Sequence, residues 1–232
     1  MKIKIGLLGY GKTGKVVAQN LKDDKRFTLV FVAKNKAIDS SDEFDFIVKP
    51  KELIDKLVNQ FEPDVVIDFT TPYAVMLNIK KLPKETGYII ATTGFSDAQI
   101  EKIKEYKDLK IIYAPNISDG INIVIQACKL FDQIWSSADV EIVEQHFKEK
   151  RDSPSGTAKK IAKAFNRSLP IHSIRAGGIV GVHEIILATD NQKITLKHES
   201  FNKNVFAEGV KRAAIWLMDK ERGFYEIDEV YR

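Results

Sequence analysis

The residue types best suited to chemistry stand in one polar run, Glu144-Gln145-His146-Phe147-Lys148-Glu149-Lys150-Arg151-Asp152-Ser153-Pro154-Ser155-Gly156-Thr157-Ala158. His146 ordinarily titrates near neutral pH and can donate a proton there. Lys150, four residues on, adds a positive charge. Ser155 suits the N-cap of a helix predicted over 156–165, which would leave the N–H groups of Gly156 and Thr157 free. A helix N-terminus with a hydroxyl and nearby lysines is a ready carboxylate site. Together these could act on a small acid. A plainer reading competes: a lone histidine more often packs or faces solvent, and Lys148 and Lys150 would serve equally as solvated loop charges.

A glycine-rich turn, Gly9-Tyr10-Gly11-Lys12-Thr13-Gly14, lies near the start of the chain, directly after an apolar run. Glycines there permit a tight turn, so backbone N–H groups and a helix N-terminus can face a pyrophosphate. The pattern alone also fits an ordinary strand-to-helix connection. Its place after a first strand, opening a βαβ unit, favours dinucleotide binding. The next apolar run ends at Lys34-Asn35-Lys36, where an NAD-selective site offers a carboxylate to the ribose hydroxyls. Lys34 cannot accept those bonds but can pair with a 2′-phosphate. NADPH is therefore expected over NADH, with NADH possible; the alternative is a solvated lysine loop.

These residues need elements to position them. Strands are predicted over 3–8, 27–33, 64–69, 88–92 and 110–114, with helices over 12–22, 51–61, 73–81 and 97–106. The continuous apolar character of the strands suits a sheet covered on both faces. Alternation of strand and helix predicts an α/β fold, a Rossmann-type doubly wound parallel sheet. Asp68-Phe69-Thr70-Thr71-Pro72, Thr92-Thr93-Gly94-Phe95 and Ala114-Pro115-Asn116-Ile117 then fall at strand ends, along one ligand-binding rim. Beyond Pro115-Asn116 the rhythm changes: a long helix over 121–135, a strand over 139–147, three strand-like runs within 174–199 and a last helix over 205–219. A smaller α+β substrate domain with a mixed sheet, residues 118–203, is expected beside a dinucleotide-binding domain of 1–117 and 204–232.

Composition bounds the rest. At 232 residues, 44% hydrophobic and 29% charged, the chain resembles ordinary globular proteins and is not disordered, collagenous or a disulfide scaffold. Such a chain buries roughly 70% of its unfolded surface and needs no staple. A net charge of +4 from 36 basic and 32 acidic residues gives weak grounds for nucleic-acid binding. No apolar run has the length of a membrane span. The single cysteine, Cys128, can form no internal disulfide, which suits a reducing cytoplasm. His172, His183 and His198 match no compact ligand spacing, so no metal site is expected.

Taken in order, the motifs resemble the dihydrodipicolinate reductase family, also called 4-hydroxy-tetrahydrodipicolinate reductases, over nearly the whole chain. The resemblance runs through the glycine turn, Asp68–Pro72, Thr92–Phe95 and Pro115-Asn116 to Glu144–Ala158, Arg175-Ala176-Gly177-Gly178-Ile179-Val180-Gly181-Val182-His183 and Phe206-Ala207-Glu208-Gly209. Its most specific part is the Asp-x-Pro-Ser-Gly-Thr-Ala core at 152–158. It implies NAD(P)H-dependent reduction of a small cyclic imine dicarboxylate in lysine and diaminopimelate biosynthesis. His146 falls at the family's proton donor, Lys150 at its catalytic lysine, and Gly156 and Thr157 where a substrate carboxylate is held. Gly9, Tyr10, Gly11, Lys12, Thr13 and Gly14, with Ala91, Thr92, Thr93, Ala114, Pro115, Asn116 and Ile117, fall at nucleotide-contacting segments. Homotetramers formed through the substrate-domain sheet are implied as well.

The sequence departs from the family in four places. Phe147 replaces a second histidine that contacts substrate, Lys34 an acidic residue, and Lys203 an arginine; the glycine turn is also shorter. Phe147 keeps open another two-domain reductase of a small amino or imino acid. A nucleotide-binding sensor without catalysis is the other alternative, against which His146, Lys150 and the Ser155-Gly156-Thr157 turn argue.

Overall fold

The apolar runs of the first half do become strands. In the computed structural model, which describes residues 1–34, 47–48 and 54–232, the chain begins β1 (Ile3–Leu8), α1 (Lys12–Lys22), β2 (Phe27–Ala33), β3 (Ile47–Val48) and α2 (Ile54–Phe61). It continues β4 (Val65–Asp68), α3 (Pro72–Asn78), β5 (Gly87–Ile90), α4 (Asp97–Lys104) and β6 (Lys110–Tyr113). Then follow α5 (Asp119–Ile134), β7 (Asp139–His146), α6 (Gly156–Ala162), β8 (Ile171–Arg175), β9 (Val182–Thr189) and β10 (Gln192–Glu199). The chain ends with α7 (Asn204–Met218), β11 (Gly223–Glu226) and a short 3-10 turn. The described residues divide into two compact units, Met1–Ile117 with Phe206–Val230, and Ser118–Val205 with Tyr231–Arg232.

The first unit holds a seven-stranded sheet in the order β11-β6-β5-β4-β1-β2-β3, parallel at every pairing. Strands β4 and β5 are buried at every residue, as expected of parallel strands between helical layers. Phe31, Val66, Tyr88, Ile90 and Ile111 from the strands pack with Leu57, Val75 and Ile103 from the helices. Burial of each such side chain contributes about 1.5–3 kcal/mol. A Cβ at Gly87 would lie 2.7 Å from Leu217 Cδ2, so the missing side chain lets α7 pack directly on β5. This architecture is Rossmann-like, as the alternation predicted. Residues 35–36 and 51–53, part of the predicted lysine loop and of the helix predicted from 51, lie outside the described residues.

In the second unit β10, β9, β7 and β8 form a mixed sheet in that order, with only β7 and β8 parallel. Along β7 buried and half-buried residues alternate, so Val140, Ile142, Glu144 and His146 share one face. The first two join the core with Ile121, Val124, Ile125 and Cys128 of α5, at helical spacing. The next two carry that buried row into polar residues. The other face carries Val143, Ile174 and Ile186, of which Ile174 is exposed.

Some predicted ends move. The helix predicted to 165 stops at Ala162, where Ala164 and Phe165 N–H groups bond three residues back and tighten the last turn. The strand containing His172 starts at Ile171, ahead of the predicted runs. Among the described residues no helix is long and apolar enough to cross a membrane.

Candidate active site

Glu144 lies wholly out of water among polar partners. Its Oε1 accepts from Arg175 Nη2 at 2.7 Å and from the Ser155 N–H at 3.3 Å; its Oε2 meets His146 Nδ1. Burial alone would raise this carboxyl, but its polar neighbours, the Arg175 guanidinium foremost and the His146 ring among them, outweigh it and hold the group well below the usual carboxylate range. His146 is 8% exposed, and burial lowers its pKa while Glu144 opposes that shift. The charges of Lys150 and Arg175 push in the same direction as burial.

Arg175 arrives by register, since the parallel pairing of β8 with β7 sets it opposite His146. Besides Glu144 it donates to the Asp152 carbonyl at 2.6 Å, tying the loop after β7 to the strand. Lys150 pairs with the Asp152 carboxylate at 2.6 Å. The same carboxylate accepts from the Gly156 N–H at 3.4 Å, so that N–H is occupied, contrary to the sequence-based expectation that it is free. The reason is local: the loop turns back, and Asp152 reaches the helix four residues on. Ser155 does cap α6, its hydroxyl accepting from the Ala158 N–H at 3.1 Å. Thus His146, Lys150, Gly156 and Thr157 do come from one strand end and the loop and helix that follow it.

His183 faces His146 edge-on, their ring centroids 5.3 Å apart, with His198 a further 6.4 Å beyond His183. The register sets Glu144 opposite His183, and His183 opposite His198. Burial pushes His183 down to about 3. His172 instead stands exposed and pairs with Glu141 at 2.6 Å. A Cβ at Gly181 would come within 3.3 Å of His146 Nε2, so this glycine leaves space beside that nitrogen.

In the first unit Gly9 has φ +94°, and a Cβ there would strike the Phe69 carbonyl oxygen at 2.7 Å. A Cβ at Gly14 would sit 2.0 Å from the Gly9 oxygen, whereas one at Gly11 would meet nothing within 4 Å among the described residues. Gly11 N-caps α1 with no side-chain cap and no acidic residue in the first turn. The turn thus offers open space before helix N–H groups, which fits a dinucleotide pyrophosphate. Lys34 directly follows β2, its Nζ 5.8 Å from the Tyr10 ring centroid; Lys15 Nζ lies 5.2 Å from the same ring. Ala91, Thr92 and Thr93 follow β5, and Ala114, Pro115, Asn116 and Ile117 follow β6, along the strand ends that also carry the turn.

Asp68, the last residue of β4, organises that edge. It accepts from the Thr70 N–H at 2.8 Å, the Thr70 hydroxyl, Asn78 Nδ2 at 3.1 Å, the Tyr88 hydroxyl at 2.7 Å and the Thr92 hydroxyl at 3.1 Å. Sequence reading assigned no role to Glu144, Arg175 or Lys15. Arg175 stood in a quoted motif, but only pairing of β7 with β8 reveals its partner. Lys15, one helical turn beyond Gly11, could have been found from that spacing.

Residues 3–117 match the family model described as "Dihydrodipicolinate reductase, N-terminus" and residues 120–231 the one described as "Dihydrodipicolinate reductase, C-terminus". The chain is 36% identical over 253 aligned residues to the 4-hydroxy-tetrahydrodipicolinate reductase of Rickettsia bellii, covering all of this chain and 96% of that one. Identity to the reductase of the same name from Caldanaerobacter subterraneus is 33%, over 96% of this chain and 95% of the other. A dipicolinate-bound dihydrodipicolinate reductase from Paenisporosarcina sp. TG-14 superposes with a TM-score of 0.83 at 26% identity, covering 99% of each chain. With both halves matched and the relatives aligned end to end, the chain belongs to the dihydrodipicolinate reductase family.

Proposed function

We propose that this chain reduces 4-hydroxy-tetrahydrodipicolinate to tetrahydrodipicolinate with a reduced nicotinamide dinucleotide, in lysine and diaminopimelate biosynthesis. The observation that carries the reading is the buried His146, paired with Glu144 beside Lys150, in a chain matched by the family along both halves. The 4-hydroxyl leaves as water to give a conjugated C=C–C=N ring, to which a bound nicotinamide would supply hydride, itself becoming oxidised. His146 supplies the proton that completes reduction of the ring, from a position where burial makes its acid form ready to give that proton up. Lys150 offsets negative charge developing on the substrate. Gly156 and Thr157 hold one substrate carboxylate, Asp152 releasing the Gly156 N–H and Lys150 as that carboxylate arrives.

On the dinucleotide side, Gly9, Tyr10, Gly11, Lys12, Thr13 and Gly14 cradle the pyrophosphate. Ala91 to Thr93 and Ala114 to Ile117 line the rest of the cofactor along the strand ends. Two lysines gathered on the Tyr10 ring support NADPH as the preferred form, with Lys34, joined by Lys15, meeting the 2′-phosphate. The protein acts in the cytoplasm as a homotetramer associating through the mixed sheet; the exposed Ile174 on its outer face supports that surface.

The test follows loss of reduced-nicotinamide absorbance, with NADPH or NADH and substrate made in situ from pyruvate and aspartate semialdehyde by its synthase. Turnover should fall about 10²- to 10⁴-fold in His146→Gln and Lys150→Ala, and stay unchanged in His172→Gln. Tight NADPH binding without turnover in the wild type would overturn the reading in favour of a reductase of another imino or amino acid.

A further inference from the structure

We propose that Glu144 is a positioning residue for His146, fixing its ring so that Nδ1 carries a hydrogen and Nε2 is the nitrogen that exchanges protons with substrate. The proposal rests on the function above only for the word substrate; the geometry is that of the protein alone. An ionised carboxylate can only accept hydrogen bonds. Glu144 Oε1 already takes donors from Arg175 and the Ser155 backbone, and Oε2 faces His146 Nδ1. The ring must therefore donate through Nδ1. Nε2 is left on the side where Gly181 has no side chain. His183, the other ring in contact, does not set this arrangement, since among the described residues neither of its nitrogens has a hydrogen-bond partner.

The same carboxylate holds two parts of the site in fixed relation. Through His146 it orients the proton donor; through the Ser155 N–H it anchors the residue that caps α6. Arg175 keeps it charged and, through the Asp152 carbonyl, pins the intervening loop. The titratable and charged groups acting on His146 are Glu144 on its own strand, Lys150 in the loop, Arg175 on β8 and His183 on β9. Among them only Glu144 favours the protonated ring. Replacing Glu144 by glutamine must then move the His146 titration to lower pH.

Histidine-labelled protein examined by long-range ¹⁵N NMR tests this without any substrate, because each of the four histidines reports its tautomer and titration. His146 is assigned by its absence in His146→Gln. The wild type should show neutral His146 protonated at Nδ1, with Nε2 bare. In Glu144→Gln its titration should fall by about one unit or more, and the alkaline fall in kcat should move with it. That variant should lose roughly 10- to 100-fold in kcat at neutral pH, while Glu144→Asp, which keeps the charge, should keep the wild-type pH position. A wild-type His146 protonated at Nε2, or an unchanged titration in Glu144→Gln, would overturn the proposal. The wild-type spectrum decides even if Glu144→Gln fails to fold, and it stands whether or not the wild type turns over the proposed substrate.

Discussion

Two buried carboxylates, one in each unit, solve the same physical problem in different ways. Asp68 and Glu144 are both wholly hidden from solvent. A buried carboxylate needs its oxygens satisfied, or its cost is several kcal/mol. Asp68 is satisfied by neutral donors: a backbone N–H, three hydroxyls and one amide. Glu144 is satisfied by a guanidinium, a backbone N–H and an imidazole. The first set joins β4, β5 and α3 into a rigid edge and has nothing to exchange. The second includes a ring whose proton can leave. Burial of a carboxylate thus marks both scaffold and chemistry, and the partners tell the two apart.

The largest effect that could break this contrast is on the scaffold side. Asp68→Ala strands the Tyr88 and Thr92 hydroxyls and Asn78 in or near the core, and should cost roughly 3–5 kcal/mol of stability. Denaturant unfolding would show it, and the pH profile of whatever folded enzyme remains should match the wild type. A displaced profile would mean that Asp68 shapes the chemistry as well.

Acid sharpens the contrast next. His183 is held down to about 3 by burial, so the unfolded chain takes up its proton near pH 6.5 while the folded chain does not. Between those values the unfolded state binds more protons, and stability must fall as pH falls from 6.5 toward 3. Glu144, also depressed, loses its contribution in the same direction below its ordinary value of 4.5. His183→Leu should remove on the order of 2–4 kcal/mol of the stability lost between pH 6.5 and 3, flattening the acid limb of a curve of unfolding free energy against pH. An unaltered slope would show that water reaches the ring.

A smaller effect belongs to the lysines beside Tyr10. Lys15→Ala with Lys34→Ala should raise KM for NADPH about tenfold and leave NADH within twofold. The NADPH effect should shrink as salt is added. Equal losses for both cofactors would mean that the lysines support the turn itself.

Much of the first unit could be read in advance because its signals are local. The runs at Ile3–Leu8, Lys12–Lys22 and Phe27–Ala33 carry their own periodicity and end where the sequence indicates. Strand β11 was missed because Gly223–Glu226 is four residues long and becomes a strand only by pairing with β6. The two-residue β3 depends on β2 in the same way. His146, Lys150 and the Ser155 cap were legible from type and spacing. Their connections were not: Arg175 and Glu144 stand 31 residues apart and meet through strand register, which no local pattern reports. The occupied N–H of Gly156 was hidden similarly, since it depends on the path of a loop.

Strand β7 is the structural feature with the widest consequence. Its inward row runs from Val140 and Ile142, which fill the core, directly into Glu144 and His146. One residue inserted or deleted ahead of Glu144 would turn the whole downstream set to the opposite face. Evolution can therefore lengthen or shorten the loops around this strand, but not the strand itself. A chain that has found the right alignment for its oily residues has, by the same act, aimed the ring of His146.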